Sequence, residues 1–168
     1  MRALTYTALI LLVVPLQVVL FDWISIGGVR PDLALVAVCV IGLHIGEREA
    51  IGMGIALGFT QDLLSGSANW GNLCLKPVIG LLAGLASRNL VNLTLPFALG
   101  LLFALSIFSG AVMFLLKSLA GAGPDFFAAA RGIILPQACY DAVLGVALLK
   151  LIQRWAPDRA PLTAITYE

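Results

Sequence analysis

Charge is scarce in this chain. Of 168 residues, 10 are Lys or Arg and 9 are Asp or Glu, so 11% are charged, against about 25% in an ordinary soluble domain. Hydrophobic residues reach 61%, where about 45–50% is usual, and the mean hydropathy is +1.03. A chain this short cannot hide so much apolar surface from water. A water-soluble fold is excluded, and lipid is the solvent. The net charge of +1 provides no polybasic surface, which argues against nucleic acid as a partner. Cysteine occurs three times (Cys39, Cys74, Cys139), with no CxxC spacing. That excludes a disulfide framework and a thiolate metal site; the three read as buried free thiols. Histidine occurs once, at His44 beside Gly46-Glu47-Arg48-Glu49, and reads as an interfacial residue, not a ligand. No G-x-S-x-G, H-E-x-x-H or Walker sequence is present. The chain is therefore read as no enzyme, with no cofactor and no metal.

Long apolar runs are abundant. A spanning helix needs roughly 20 apolar residues, with a range of about 17–25. Six runs are read as spans of one polytopic domain over residues 1–168, three of them below that range: about 4–21, 32–45, 50–65, 73–87, 95–116 and 132–151. The first contains Pro15 and Gln17 and has no small-x-small cleavage site before Asp22, so it reads as a retained, kinked span rather than a removed leader. Spans two to four are short and must lean on protein neighbours or a thinned bilayer. Gln17 and Gln137 are read as bonding across helix contacts. Pro77 and Pro136 are placed near helix starts, where proline is tolerated. The stretch Ala120 to Arg131 is read as the longest loop, with Phe126 and Phe127 dipping into the interface. With both termini in the cytoplasm, Arg2, Arg48, Arg88, Lys150, Arg154 and Arg159 lie inside, and Arg30, Lys117 and Arg131 lie outside. The positive-inside rule favours that topology. Trp23 and Trp70 then sit in an outer belt and Trp155 in an inner one. The expected fold is an all-α, six-helix integral membrane bundle.

Three spans carry charge. Asp62 lies in GFTQDLLSGS, Lys76 lies in span four, and Asp141 follows Tyr140 in span six. Gly54, Gly58, Asp62 and Gly66 recur every fourth residue in span three, as do Lys76, Gly80 and Gly84 in span four. Such spacing puts each charge on a small-residue face where helix backbones approach closely. A hairpin symmetric about position 69 brings Asp62 and Lys76 to one depth. Three readings follow: a structural ion pair, a grip on a partner helix, or a ligand pathway. Asp141 is the other candidate partner for Lys76. Arg30-Pro31-Asp32 reads as a helix start, with Asp32 near the positive end of span two.

These residues carry a resemblance. Arg30, Pro31 and Asp32 before a short span, then Gly54, Gly58, Phe59, Asp62, Leu63, Leu64, Ser65 and Gly66, then Gly80 and Gly84, resemble the bacterial rod shape-determining protein MreD family over about residues 30–85. The resemblance implies an inner-membrane, non-enzymatic scaffold of the machinery that elongates the side-wall peptidoglycan. It implies the bitopic membrane protein MreC as partner, bound through the transmembrane helices. Through MreC it implies links to MreB filaments and to RodA with its transpeptidase. It makes Gly54, Gly58, Phe59, Ser65, Gly66, Gly80 and Gly84 candidates for helix packing or the partner interface. It also implies a fold similar to the substrate-binding subunits of energy-coupling-factor transporters. The alternative function is therefore a vitamin-type, small-solute binding subunit of such a transporter.

Overall fold

A computed structural model describes residues 29–65, 70–89, 94–119 and 125–155. The first apolar run (4–21), with Pro15 and Gln17, lies outside the described residues, as do Trp23, Gly66 and the tail from 156. Every described element is helical: α1 (Leu33–His44), α2 (Glu47–Ser65), α3 (Gly71–Asn89), α4 (Leu95–Leu119), α5 (Phe126–Ala129), a π turn (Ala130–Ile134) and α6 (Leu135–Trp155).

The local chemistry explains the helix ends. Asp32 caps α1, its side chain accepting from the Leu35 N–H at 3.0 Å, which satisfies one of the orphan donors of the first turn. Only Ile45 and Gly46 separate α1 from α2. Gly46 has φ +130°, in the region that favours glycine, and its N–H returns to the Ile41 carbonyl. Glu47 and Glu49 then occupy the first turn of α2, where negative charge complements the helix dipole.

The structure changes three expectations. Helix resumes at Phe126, inside the stretch read as a loop. The segment FFAAAR contains no helix breaker, and α5 runs through the π turn into α6. The π turn has a cause in Pro136. Proline has no N–H, and its ring clashes with the carbonyl four residues back. The preceding turn opens so that Leu135 N–H reaches the Ala130 carbonyl, one residue wider than an α turn. Pro77 is not at a helix start either, because α3 begins at Gly71 and encloses it. Cys74 and Cys139 are exposed, and only Cys39 is buried. An apolar neighbourhood in sequence does not say whether a side chain faces a helix or the outside of a bundle.

α1 is the centre of the packing. Every residue from Ala34 to Leu43 is buried. On one side Leu35, Val36, Cys39, Val40 and Leu43 join Leu75, Ile79 and Ala83 of α3, Ala98, Leu102 and Leu105 of α4, and Ala142 and Leu149 of α6. On the other, Ala34, Ala37, Val38 and Ile41 join Ala50, Met53 and Leu57 of α2. Among the described residues, two helices are long and apolar enough to cross a membrane: Leu95–Leu119 and Phe126–Ile152. α1, at 12 residues, is about 18 Å long, short of the roughly 30 Å hydrocarbon core.

Candidate functional site

α2 and α3 meet along their glycines. A Cβ on Gly54 would lie 2.7–2.8 Å from Pro77 N and the Lys76 carbonyl group. One on Gly58 would lie 2.4 Å from Asn72 O, one on Gly80 2.7 Å from Ala50 O, and one on Gly84 2.4 Å from Glu47 Cα. No real Cβ tolerates backbone so close, so these four positions require glycine for the hairpin to close. All four are filled by the α2–α3 contact. They are helix-packing positions, closed to a foreign helix. An exposed Arg88–Glu47 ion pair at 3.7 Å spans the far end of the hairpin.

The same contacts fix the hairpin register and overturn the expected Asp62–Lys76 pair. Lys76 lies opposite Gly54, eight residues before Asp62, or about 12 Å along the axis. A turn centred on position 69 is what the pair required. The observed pairs Gly58–Asn72, Gly54–Lys76 and Gly80–Ala50 centre the hairpin on position 65, at the C-terminal end of α2, because the glycine contacts set the register.

Lys76 reaches α1 instead. Its Nζ donates to Asp32 Oδ2 at 2.6 Å. The Asp32 backbone N–H donates to Asp141 Oδ1 at 2.8 Å. Ser106 Oγ donates to Asp141 Oδ2 at 2.6 Å. Four helices, α1, α3, α4 and α6, thus converge on one polar network. Asp141, the other candidate partner, enters it through Asp32 and Ser106. Lys76 is 1% exposed and Asp141 0%. An isolated charge at mid-bilayer costs roughly 2.5–3.5 kcal/mol; in this network each polar group has a partner with good geometry, which offsets that cost. Asp32 does three things at once: it caps α1, holds the ammonium, and joins α6. Of its motif neighbours, Pro31 is buried and Arg30 is exposed.

Asp62 has a different task. It is 2% exposed. Its Oδ2 accepts from the Leu73 N–H at 2.8 Å, and its Oδ1 accepts from Asn72 Nδ2 at 2.7 Å. A carboxylate on α2 therefore caps the first turn of α3, where the helix dipole favours a negative charge. Ser65 Oγ donates back to the Asp62 carbonyl at 3.3 Å. Phe59 faces outward, 44% exposed, and stacks on Trp70 with ring centroids 5.8 Å apart. Gln61 Oε1 is buried and has no hydrogen-bond partner among the described residues.

Three polar partners were missed from the sequence. Ser106 and Asn72 complete the two clusters, and Ser87 Oγ donates to the Leu43 carbonyl at 2.9 Å. For Ser106 and Ser87 the signal was a hydroxyl inside an apolar run, which is uncommon unless a neighbour satisfies it; Asn72 precedes its run and carried no such signal. Chemically, the network holds helices together: its members are hydrogen-bonded to one another, and no groups of three or more His, Cys, Asp or Glu that could hold a metal ion occur among the described residues.

Neither a curated protein nor a solved structure matches the chain. A family model described as rod shape-determining protein MreD matches residues 1–155. Family and apolar helices together point to a membrane protein, and membership implies a role in determining rod shape. That match spans both polar clusters and every described helix, and the chain belongs to the rod shape-determining protein MreD family.

Proposed function

We propose that the chain is a non-enzymatic, multi-pass inner-membrane scaffold of the cell-elongation machinery, with six transmembrane helices and both termini cytoplasmic. It binds MreC through its transmembrane helices, and MreC connects it to MreB filaments and to the RodA–transpeptidase pair that builds side-wall peptidoglycan. The observation that carries this reading is the family match over residues 1–155. The geometry supports it. The buried polar groups are bonded to one another, as suits a rigid framework. Gly54, Gly58, Gly80 and Gly84 are occupied by the α2–α3 contact, so the partner surface falls on the outward face of α2. That face presents Ile55, Phe59 and Leu63, each 44–54% exposed.

A solute-binding subunit of a transporter needs convergent polar groups aimed into a cavity. The groups best placed for that role, Lys76, Asp141 and Ser106, are engaged in the helix network. Depletion separates the two readings. Loss of the scaffold rounds the cells and disperses side-wall synthesis, with vitamin uptake unchanged, and MreC copurifies with the full chain from membranes. Normal cell shape with a vitamin requirement establishes the transporter reading instead.

A further inference from the structure

α1 presents a problem of specification. It is apolar on every side and buried on every side, so no amphipathic pattern tells it how to rotate or how deep to sit. Between helices in lipid the hydrophobic effect supplies no direction either. Something else must choose one register against α3.

Two hydrogen bonds join α1 and its cap to α3. Lys76 Nζ donates to Asp32 Oδ2, and Ser87 Oγ donates to the Leu43 carbonyl. Both pairs are 44 positions apart in the chain. An identical offset at two places means that α1 and α3 run parallel and in step. The two bonds are separated by the same length on each helix, Asp32 to Leu43 and Lys76 to Ser87, which is eleven residues. Eleven residues make about three full turns at about 3.6 residues per turn. Both bonds therefore lie on one side of each helix. Between them the backbones run close. A Cβ on Gly42 would lie 2.9 Å from Ala83 Cβ and 3.0 Å from Gly80 O, and one on Gly80 would lie 2.9 Å from Val38 Cγ1.

We propose that Lys76–Asp32 and Ser87–Leu43 form a two-point clamp that sets the register of α1 on α3, with Lys76 and Ser87 as positioning residues. A shift of one residue turns a helix by about 100° and moves it about 1.5 Å, which breaks both bonds together. Buried polar contacts fix register in this way in otherwise apolar helix pairs. The N-terminal bond also reaches α6 and α4 through Asp141 and Ser106, so the register of α1 carries the placement of those helices. The clamp concerns internal positioning and holds whether or not the scaffold reading is correct.

Cys39 provides the reporter, because it is fully buried on α1 while Cys74 and Cys139 are exposed. In the full chain carrying Cys74→Ser and Cys139→Ser, maleimide labelling of Cys39 in detergent micelles measures how well α1 is held. Asp32→Asn with Lys76→Met removes the first bond without stranding a charge at position 32; Asp141 keeps its hydrogen bonds from Ser106 Oγ and the backbone N–H of position 32, and Asn still caps α1. Ser87→Ala removes the second. Each change alone leaves Cys39 protected to within about threefold; the combination labels it at least about tenfold faster, a synergy that independent contacts do not show. Protection retained with both bonds gone means that the glycine contacts alone set the register, and overturns the clamp. So does full deprotection by either change alone. If the combination does not accumulate as folded protein, Ser87→Thr on the Asp32→Asn/Lys76→Met background, which keeps a hydroxyl donor, restores accumulation; failure to do so while the Ser87 parent accumulates also overturns the proposal.

Discussion

Lys76 serves α1, and Asp62 serves the start of α3. Removing one member of a buried pair costs about 3–5 kcal/mol. Lys76→Met, which leaves the Asp32 and Asp141 carboxylates without their ammonium, is expected to lower the thermal stability of the detergent-solubilised chain by that order, and Asp32→Asn added to it to recover most of the loss. Asp62→Ala removes an acceptor from Leu73 N–H and from Asn72. The expected loss is about 2 kcal/mol, in the range for hydrogen bonds to charged groups, with Asp62→Asn recovering part. The two effects are expected to add to within about 0.5 kcal/mol, as they do for separated sites. A large coupling energy between Asp62→Ala and Lys76→Met in a double-mutant cycle would contradict the observed hairpin register. The residue types at both sites were legible from the sequence, because carboxylates and an ammonium inside apolar runs must be satisfied by something. The partners were not, since Asp32 and Asp141 stand 109 positions apart and Ser106 and Asp141 stand 35 apart.

At the scale of elements, the α2–α3 hairpin depends on four missing side chains. Gly58→Leu places a side chain where Asn72 backbone already sits, and Gly54→Leu does the same against Lys76 and Pro77. Both are expected to reduce folded protein in membranes by at least about tenfold, because the helices cannot close over a leucine. Gly52 lies on the same helix with nothing within 4 Å of a built Cβ. Gly52→Leu is expected to leave the level of folded protein within about twofold of the parent, measured by gel filtration of detergent extracts, as befits a site away from any packing contact. Equal behaviour at positions 52 and 58 would place the glycine face elsewhere. Fourfold glycine spacing was visible in the sequence because helical periodicity is local. Helix ends were less visible. α3 begins before its apolar run, and α5 begins within a segment whose Phe and Ala content reads equally as interfacial loop or as helix.

For the whole molecule, the order and polarity of the helices matter more than any one contact. Two of the described helices are long enough to span, and three others are shorter or more polar. The other helices gather around α1, with α3, α4 and α6 on one side of it and α2 on the other. Topology is a matter of charge bias. A reporter active only in the cytoplasm, fused after Glu168, is expected to be active, because the proposed topology puts more Lys and Arg inside than outside. Activity of a periplasmic reporter at the same position would show that the orientation is reversed or the number of spans odd. The second readout is cell shape on depletion, which bears on the proposed scaffold as an assembly and on no single residue.

The linear chain was enough to settle the solvent, the secondary-structure class and the family pattern. Composition sets the first, since 11% charge in 168 residues cannot clothe a soluble surface. Periodicity and the motif from Arg30 to Gly84 set the others, because both depend on residues near one another in the chain. Which carboxylate holds Lys76, which thiols are covered and how α1 is registered emerge only from the packed helices. Each of those depends on the offset between helices. That offset is set by steric contact at Gly42, Gly54, Gly58, Gly80 and Gly84 together with a few directional hydrogen bonds. A uniformly apolar helix carries no local mark of its neighbours, so its place becomes defined only when the neighbours are present.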